Sequence, residues 1–346
     1  MTNVALAPRK LRSFGKTEIV HALATLVGSI AVAAVIFTIT PFSGTLGSLV
    51  VAYCLFLAST YIVGWVTINR NVGADRVATV LMHTAAFVVL GVLALIVYLP
   101  LSKGLKTVRP GFLSNTLDGI DPSAPVSEGG ALHAIVGTLS QVGIATLVSV
   151  PFGILTAVYL NEIRGRFAPI VRVLVDAMSG IPSIVAGLFI YAIWIVGLNA
   201  GYSGLAASLA LGILMLPTVA RTSEEMLKLV NPSLREASLA LGSPEWRTVL
   251  QVVLPTARTG LITATILGIA RVAGETAPLI MTSFGSDGVV GPVQGLSNPQ
   301  TSLPLFVYQR FLQGDTARAW GAALVLVVIV VLLFAAARIL SKPRSR

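Results

Sequence analysis

Long apolar stretches separated by shorter polar segments dominate this chain. A bilayer core about 30 Å thick requires about 20 apolar residues in a helix that rises about 1.5 Å per residue. Eight stretches approach or exceed that length. They occupy residues 19–40, 46–68, 77–99, 132–160, 168–198, 203–219, 257–281 and 319–340. The pattern predicts an all-α integral membrane protein, a polytopic bundle of about eight transmembrane helices.

Three polar segments between the predicted spans are long enough to carry function. Two of them, 100–131 and 282–318, are predicted to lie on the outer side of the membrane. The second contains Ser302–Phe311, an apolar stretch too short to span, which is expected to lie along the membrane surface. The third segment, 221–256, is predicted to be cytoplasmic.

Lysine and arginine are distributed unequally between the two sides of the membrane. If the N-terminus lies in the cytoplasm, most of the 24 lysine and arginine residues fall in segments on the cytoplasmic side. The predicted outer segments hold only Lys103, Lys106, Arg109, Arg310 and Arg318. Because positive loops stay in the cytoplasm, both termini are predicted to be cytoplasmic. The first apolar stretch is too long for a signal peptide and is expected to remain as a membrane helix.

Composition narrows the functional classes. Hydrophobic residues make up 55% of the chain and charged residues 11%, whereas soluble domains average about 25% charged. The formal charge is +10, but no basic stripe with interleaved aromatic residues is present, which argues against nucleic-acid binding. Cys54 is the only cysteine, so an intramolecular disulfide and a cysteine-based zinc site are excluded.

The sequence also lacks catalytic signatures. A phosphate-binding loop requires G-x-x-x-x-G-K-[ST], and near Gly15-Lys16-Thr17 the first glycine position is held by Lys10. The histidines are scattered without metal-ligand spacing, at His21, His83 and His133. We therefore expect no catalytic residues, no bound metal and no cofactor in this chain, and any ATP must be handled by a partner.

The cytoplasmic segment carries two sets of helix-start signals. Ser233 and Glu236 are spaced as in a capping box, and Gly242 then ends the first helix. Ser243 followed by Pro244 and an acidic residue marks a second start. The segment is predicted to form two short helices hinged at a glycine.

Two opposite charges stand inside the predicted span 257–281. Arg271 and Glu275 are four residues apart, so in one helix they share a face and can form a salt bridge. A charged residue at mid-membrane costs about 2.5–3.5 kcal/mol on insertion scales, which makes the pair a functional candidate. Gly274 and Pro278 favour a local break there. An anion crossing the membrane would meet Arg271, with Glu275 as the counter-ion in the empty state.

The cytoplasmic segment resembles the EAA loop of binding-protein-dependent ABC importer permeases, with every spacing of that pattern kept. Ser238 stands where the pattern has a third small residue and Val252 where it has isoleucine, both close in volume. The resemblance implies a six-helix permease core in which this loop docks on a cytoplasmic ATPase subunit. The positions that carry it are Glu236, Ala237, Ser238, Gly242, Val252, Leu254 and Pro255.

Further stretches resemble the PstA family of phosphate-transport permeases. They are 180–188, 219–227, 271–279 and 303–308, and the resemblance covers about residues 77–340. It implies residues 76–346 as the permease core, with the coupling loop at 221–256. Residues 1–75 would be a cytoplasmic N-terminus and an extra transmembrane hairpin, whose role stays open.

The same resemblance implies a function and a set of partners. The chain would be the permease subunit of a phosphate importer in a bacterial inner membrane. Its partners would be a PstC-like second permease, a PstB-like ATPase dimer that uses ATP and Mg²⁺, and a PstS-like phosphate-binding protein. The residues implied for the charged translocation path are Arg271, Glu275 and Arg221.

Two alternatives stay open at this point. A secondary transporter or anion channel also uses buried arginine and glutamate, although it has no need of an EAA-type loop. An ABC permease for sulfate, molybdate or another solute would share the loop but not the substrate. Asp176, inside the predicted span 168–198, has no explanation from the sequence.

Overall fold

A computed structural model of the chain describes residues 16–39, 44–121 and 124–340. All the long elements in these ranges are helices, and we number the α-helices in chain order. They are α1 (Lys16–Ile39), α2 (Thr45–Thr67), α3 (Arg70–Gly104), α4 (Pro110–Ser114), α5 (Leu132–Val158), α6 (Ala168–Ser179), α7 (Ser183–Ile190), α8 (Gly204–Lys228), α9 (Pro232–Ala240), α10 (Glu245–Thr248), α11 (Leu254–Ala273), α12 (Ala277–Thr282), α13 (Leu303–Leu312) and α14 (Thr316–Leu340). Single π-helical segments continue α5, α7 and α10, through Ile163, Gly197 and Val253.

The predicted all-α membrane fold is confirmed, with a different count of spans. Within the described ranges, six helices are long and apolar enough to cross a membrane, or seven if a bent pair is one span. The apolar part of α1, Leu23–Ile39, is shorter than the others. The eight predicted spans therefore overstate the number of unbroken membrane helices.

The chain divides into two compact units, residues 1–95 and 96–346. In the first unit, α1 and α2 form a hairpin in which the hydroxyls of Ser29 and Ser59 lie 3.3 Å apart. A Cβ on Gly64 would lie 2.7 Å from the Cα of Gly73, so the end of α2 and the start of α3 approach closely through glycine. The predicted boundary at residue 75 stays a prediction.

Three helices form the centre of the second unit. Val142 and Ala145 of α5, Leu211 and Met215 of α8 and Val272 of α11 are all buried in one apolar cluster. Small residues allow this contact, because a Cβ on Gly153 or Gly268 would come within 3 Å of Val219. The central α8 is thus held from two sides, and its charged end is fixed relative to α5 and α11.

The predicted span 168–198 is not one continuous helix. α6 and α7 meet at a bend of 104°. Pro182 precedes α7, and proline lacks an N–H and disfavours helical geometry in the residue before it. With Gly180 ending α6, the chain cannot continue in one direction, so this region is a broken span or a re-entrant pair.

The local break predicted within the span 257–281 is confirmed. α11 ends at Ala273, with Gly274 as its C-terminal cap, and α12 begins at Ala277. Pro278 lies in the first turn of α12, where its missing N–H costs nothing. Glu275 consequently lies in the break between two helices.

The predicted position of Ser302–Phe311 on the membrane surface is wrong. This stretch forms α13, in which Leu303 and Phe306 are fully buried. His133 of α5 is 1% exposed and contacts the ring of Phe306 edge-on, 5.2 Å between centroids, as a packing histidine does. α13 is apolar because it packs into the core of the second unit.

The segment before α13 is irregular but buried. Gln300 and Thr301 are 2% and 3% exposed, and the amide of Gln141 on α5 donates to the Gln300 carbonyl oxygen at 2.9 Å. The Thr138 hydroxyl accepts from the Leu303 backbone N–H at 2.7 Å. Side chains of α5 thus satisfy backbone groups at a depth where water is scarce.

Replacing Gly137 by valine is expected to destabilise the protein strongly. A Cβ at this position would collide with the Thr301 carbonyl oxygen, so the buried segment must move. The expected loss is at least about 2–3 kcal/mol, read as a lower midpoint of thermal unfolding in detergent. Gly143→Val on the same helix is the control, because a Cβ there meets nothing within 4 Å. Equal midpoints for both variants would contradict the close contact.

Candidate coupling loop and translocation path

The polar segment after α8 folds as two short helices, α9 and α10, joined by a tight turn. Gly242 in that turn has φ +81°, a conformation that glycine adopts without strain. The predicted hinge is confirmed, and the predicted caps are not. Asn231 caps α9 through its side chain, which accepts from the Ser233 N–H at 3.0 Å, and Pro244 rather than Ser243 precedes α10. We call residues 231–248 the α9–α10 loop.

Two sets of contacts hold the α9–α10 loop in place. One links its two helices, and the other packs the residues after α10 against the helix bundle. The hydroxyls of Ser238 and Thr248 lie 2.8 Å apart and link the two helices. A hydroxyl at position 238, where the EAA pattern has a small apolar residue, thus has a local structural role. Beyond α10, Val253 is fully buried, and Leu254 packs against the same apolar cluster as Leu227.

Arg235 ties the α9–α10 loop to the end of α5. Its guanidinium donates to both carboxylate oxygens of Glu162, at 2.7 and 2.9 Å, and to the carbonyl oxygens of Val230 and Leu227. The hydrogen bonds that Arg235 donates to Glu162 raise its pKa above its ordinary value. Sequence reasoning missed this link, because the partners are 73 residues apart.

Several large apolar side chains in and just after the α9–α10 loop are exposed, and those before Glu245 lie outside the candidate membrane spans. Leu241 is 87% exposed and Trp246 is 61% exposed, and Glu236 and Ala237 are also exposed. Exposed apolar side chains on a segment between membrane spans suit a contact with another protein. The members of this patch are Leu234, Leu239, Leu241, Trp246 and Leu250.

A buried carboxylate gathers three cations at the end of α8. Glu224 is completely buried, and its oxygens lie 2.7 Å from Arg172, 3.2 Å from Arg221 and 3.2 Å from Lys228. Arg221 also pairs with Asp176 at 2.9 Å. The otherwise unexplained Asp176 is therefore part of an ion-pair network that joins α6 to α8.

Replacing Glu224 by glutamine is expected to destabilise the permease by about 1–2 kcal/mol, lowering the unfolding midpoint by a few degrees. The variant leaves three cations without their shared carboxylate, but each is about 40% exposed or more, so water offsets part of the loss. Glu225→Gln is the control, because Glu225 is 59% exposed and pairs only with Lys228. A midpoint unchanged in both variants would show that the network is structurally neutral.

The predicted pair of Arg271 and Glu275 does not form. The helix that would place them on one face ends between them, so four residues no longer correspond to one turn. Instead, Arg271 donates to the hydroxyl of Thr218 on α8 at 2.9 Å. Glu275 is half-buried and has no ion-pair partner among the described residues.

Arg271 nevertheless keeps a position suited to an anion path. Its side chain is exposed although it belongs to a membrane span. An arginine facing lipid costs about 2.5–3.5 kcal/mol or more, so this face is expected to meet water or another chain. Thr218 positions the guanidinium, a role that the sequence does not signal. The path roles of Arg271, Glu275 and Arg221 stay predictions.

Comparison with known proteins defines the family. A model for the inner membrane components of binding-protein-dependent transport systems matches residues 149–346. Phosphate transport system permease protein PstA 1 of Mycobacterium tuberculosis (strain CDC 1551 / Oshkosh) is 40% identical over 269 residues, covering 76% of this chain and 87% of the relative. The chain belongs to the PstA permeases of this family. The PstA of Pasteurella multocida (strain Pm70) is 34% identical and covers 79% of this permease and 96% of its own length.

Solved ABC transporters share the fold of this permease. A bacterial transporter involved in the import of the acidic polysaccharide alginate superposes with a TM-score of 0.53 over 78% of the permease and 99% of that chain, at 14% identity. The MetNI methionine transporter gives 0.50 over 63% and 95%, at 24% identity. These likenesses confirm the ABC permease fold and a multi-pass membrane protein.

Proposed function

We propose that this permease forms part of the membrane path of an ATP-driven importer of inorganic phosphate. The observation that carries the proposal is the 40% identity to a phosphate transport system permease over 76% of the chain. The position of Arg271 supports it, because a guanidinium exposed within a span suits a small oxyanion. Phosphate is attracted by the charge and accepts hydrogen bonds from the planar donor fork.

The α9–α10 loop supports docking on a separate ATPase. Its exposed apolar patch, with Leu241 and Trp246 at the turn between the helices, offers a surface that a cleft can cover. The coupling positions proposed are Glu236, Ala237, Ser238, Gly242, Val252, Leu254 and Pro255. We expect that partner to use ATP and Mg²⁺, and we expect no catalytic residue, metal or cofactor in this chain.

The remaining partners and the orientation follow from the same proposal. A PstC-like permease completes the path, a PstB-like dimer supplies hydrolysis and a PstS-like protein delivers phosphate from outside. The α9–α10 loop and both termini are on the cytoplasmic side of a bacterial inner membrane, in line with the charge distribution. Arg221 is held by Asp176 and Glu224, so Arg271 is the better first contact for the anion.

Uptake of radiolabelled phosphate by cells lacking this chain, with and without its restoration, tests the function. We expect restoration to recover uptake that survives a protonophore and is lost when the partner ATPase is deleted. Uptake with the opposite dependence would indicate a secondary transporter and contradict the proposal. Uptake abolished by unlabelled sulfate or molybdate rather than phosphate would indicate another substrate.

A further inference from the structure

A basic cavity lies between the end of α5 and the start of α6. Its volume is about 630 Å³, within the range of about 300–1,000 Å³ typical of small-molecule sites. Four of its lining side chains are cationic, and none is acidic: Arg164, Arg166, Arg172 and Lys228. The cavity belongs entirely to the second unit of the chain.

Only two of the four cationic side chains in this cavity pair with an acidic residue in the described part of the chain. Arg172 and Lys228 pair with Glu224, and Lys228 also pairs with Glu225. Among the described residues, the Arg164 side chain bonds only to the Asn161 carbonyl oxygen, to which its Nε donates at 2.8 Å. Arg166 stacks on the ring of Phe167 and forms no ion pair with any described residue. Two guanidinium groups therefore remain available to an anion.

The backbone adds to the positive potential. Ala168 and Pro169, the first residues of α6, line the cavity. No side chain caps this helix, since Phe167 precedes it. The Ala168 N–H donates to the Gly165 carbonyl oxygen and Pro169 has no N–H, so this end of the helix contributes its dipole, which favours negative charge in the cavity.

Apolar side chains flank the opening of this region. Ile163, Phe167 and Ile170 are 61%, 53% and 58% exposed, next to the arginines in sequence. Basic groups beside exposed apolar residues at the end of a span suit the boundary between headgroups and acyl chains. From these features we infer that the cavity binds a phosphate group, carried by an anionic phospholipid or by free phosphate in the cytoplasm.

This inference does not depend on the substrate proposed above. Binding of phosphate-bearing probes to the purified transport complex tests it. Complexes in neutral detergent would be mixed with phosphatidylglycerol or phosphatidylcholine for native mass spectrometry, and with radiolabelled inorganic phosphate for equilibrium dialysis. We expect saturable binding of one phosphate-bearing probe. Arg166→Gln should weaken it about fivefold, Arg164→Gln by a similar factor, and Arg166→Lys much less. Arg258→Gln is the control, because Arg258 is exposed and does not line the cavity.

The results separate the two sources of the phosphate group. Phosphatidylglycerol binding that falls in Arg166→Gln, without phosphatidylcholine binding, identifies a lipid site. Inorganic phosphate binding that falls in the same variant identifies a site for the free anion. Binding of both probes that is equal in Arg166→Gln, Arg164→Gln and Arg258→Gln overturns the inference. Phosphate bound in Arg166→Gln but lost in Arg271→Gln belongs to the translocation path and also counts against the cavity.

Discussion

Arg271→Gln is expected to lower phosphate uptake by about 100-fold. The substitution removes the charge that attracts the anion and replaces a hydrogen bond to a charged group, worth up to about 3 kcal/mol, by a neutral contact. Glutamine is easier to insert into the bilayer than arginine, so the amount of protein in the membrane should not fall. The measurement is initial uptake of radiolabelled phosphate, normalised to the amount of membrane-inserted permease.

Two companion variants make this result specific. Thr218→Val removes only the hydroxyl that positions the guanidinium at 2.9 Å, and should lower uptake about three- to tenfold. Arg258→Gln removes an exposed arginine of the same helix and should leave uptake unchanged. Undiminished uptake in Arg271→Gln would show that this arginine only packs against α8 or a partner chain.

Leu241→Asp is expected to lower uptake by at least about 30-fold while the permease remains folded. Leu241 is 87% exposed, so the change costs the isolated chain little. In a docked complex, however, it would place an unpaired carboxylate in an apolar contact, at a cost of about 2 kcal/mol or more. The measurement is ATP-dependent phosphate uptake into vesicles containing the complex, with its rate of ATP hydrolysis recorded in parallel.

A change that adds the same charge elsewhere controls for the Leu241 variant. Gln313 is also exposed but follows α13, outside the coupling segment 221–256, and Gln313→Glu should leave uptake near the unmodified level. Normal transport in Leu241→Asp would contradict a docking role for the exposed apolar patch. Loss of inserted protein in that variant, followed by thermal unfolding, would instead assign Leu241 a structural role.

Sequence patterns predicted the membrane helices because the length of an apolar stretch is set by the thickness of the bilayer. The hinge at Gly242 was also predictable, since glycine beside helix-start signals is a local feature. Hydropathy did not reveal the 104° bend before α7 or the break that isolates Glu275. Proline and glycine occur at both places, but the average hydropathy of a segment does not show that the chain changes direction there.

Contacts between distant parts of the chain could not be predicted from local spacing. Arg172 bonds to Glu224 across 52 residues, and Arg271 bonds to Thr218 across 53. The sequence instead predicted that Arg271 pairs with Glu275, because residues four apart share a face when the helix is unbroken. Which cation meets which carboxylate depends on how α6, α8 and α11 cross, and only the packed structure provides that.

The hydrogen bonds of Arg235 couple the α9–α10 loop rigidly to the ends of α5 and α8. One guanidinium joins the loop to Glu162, in the π-helical continuation of α5, and to the carbonyl oxygens of Leu227, in the last turn of α8, and Val230. A shift of the loop therefore has to break these bonds or move the ends of both helices. A force applied by a nucleotide-driven motor would then be transmitted as rigid displacement of these helices rather than absorbed by local unwinding.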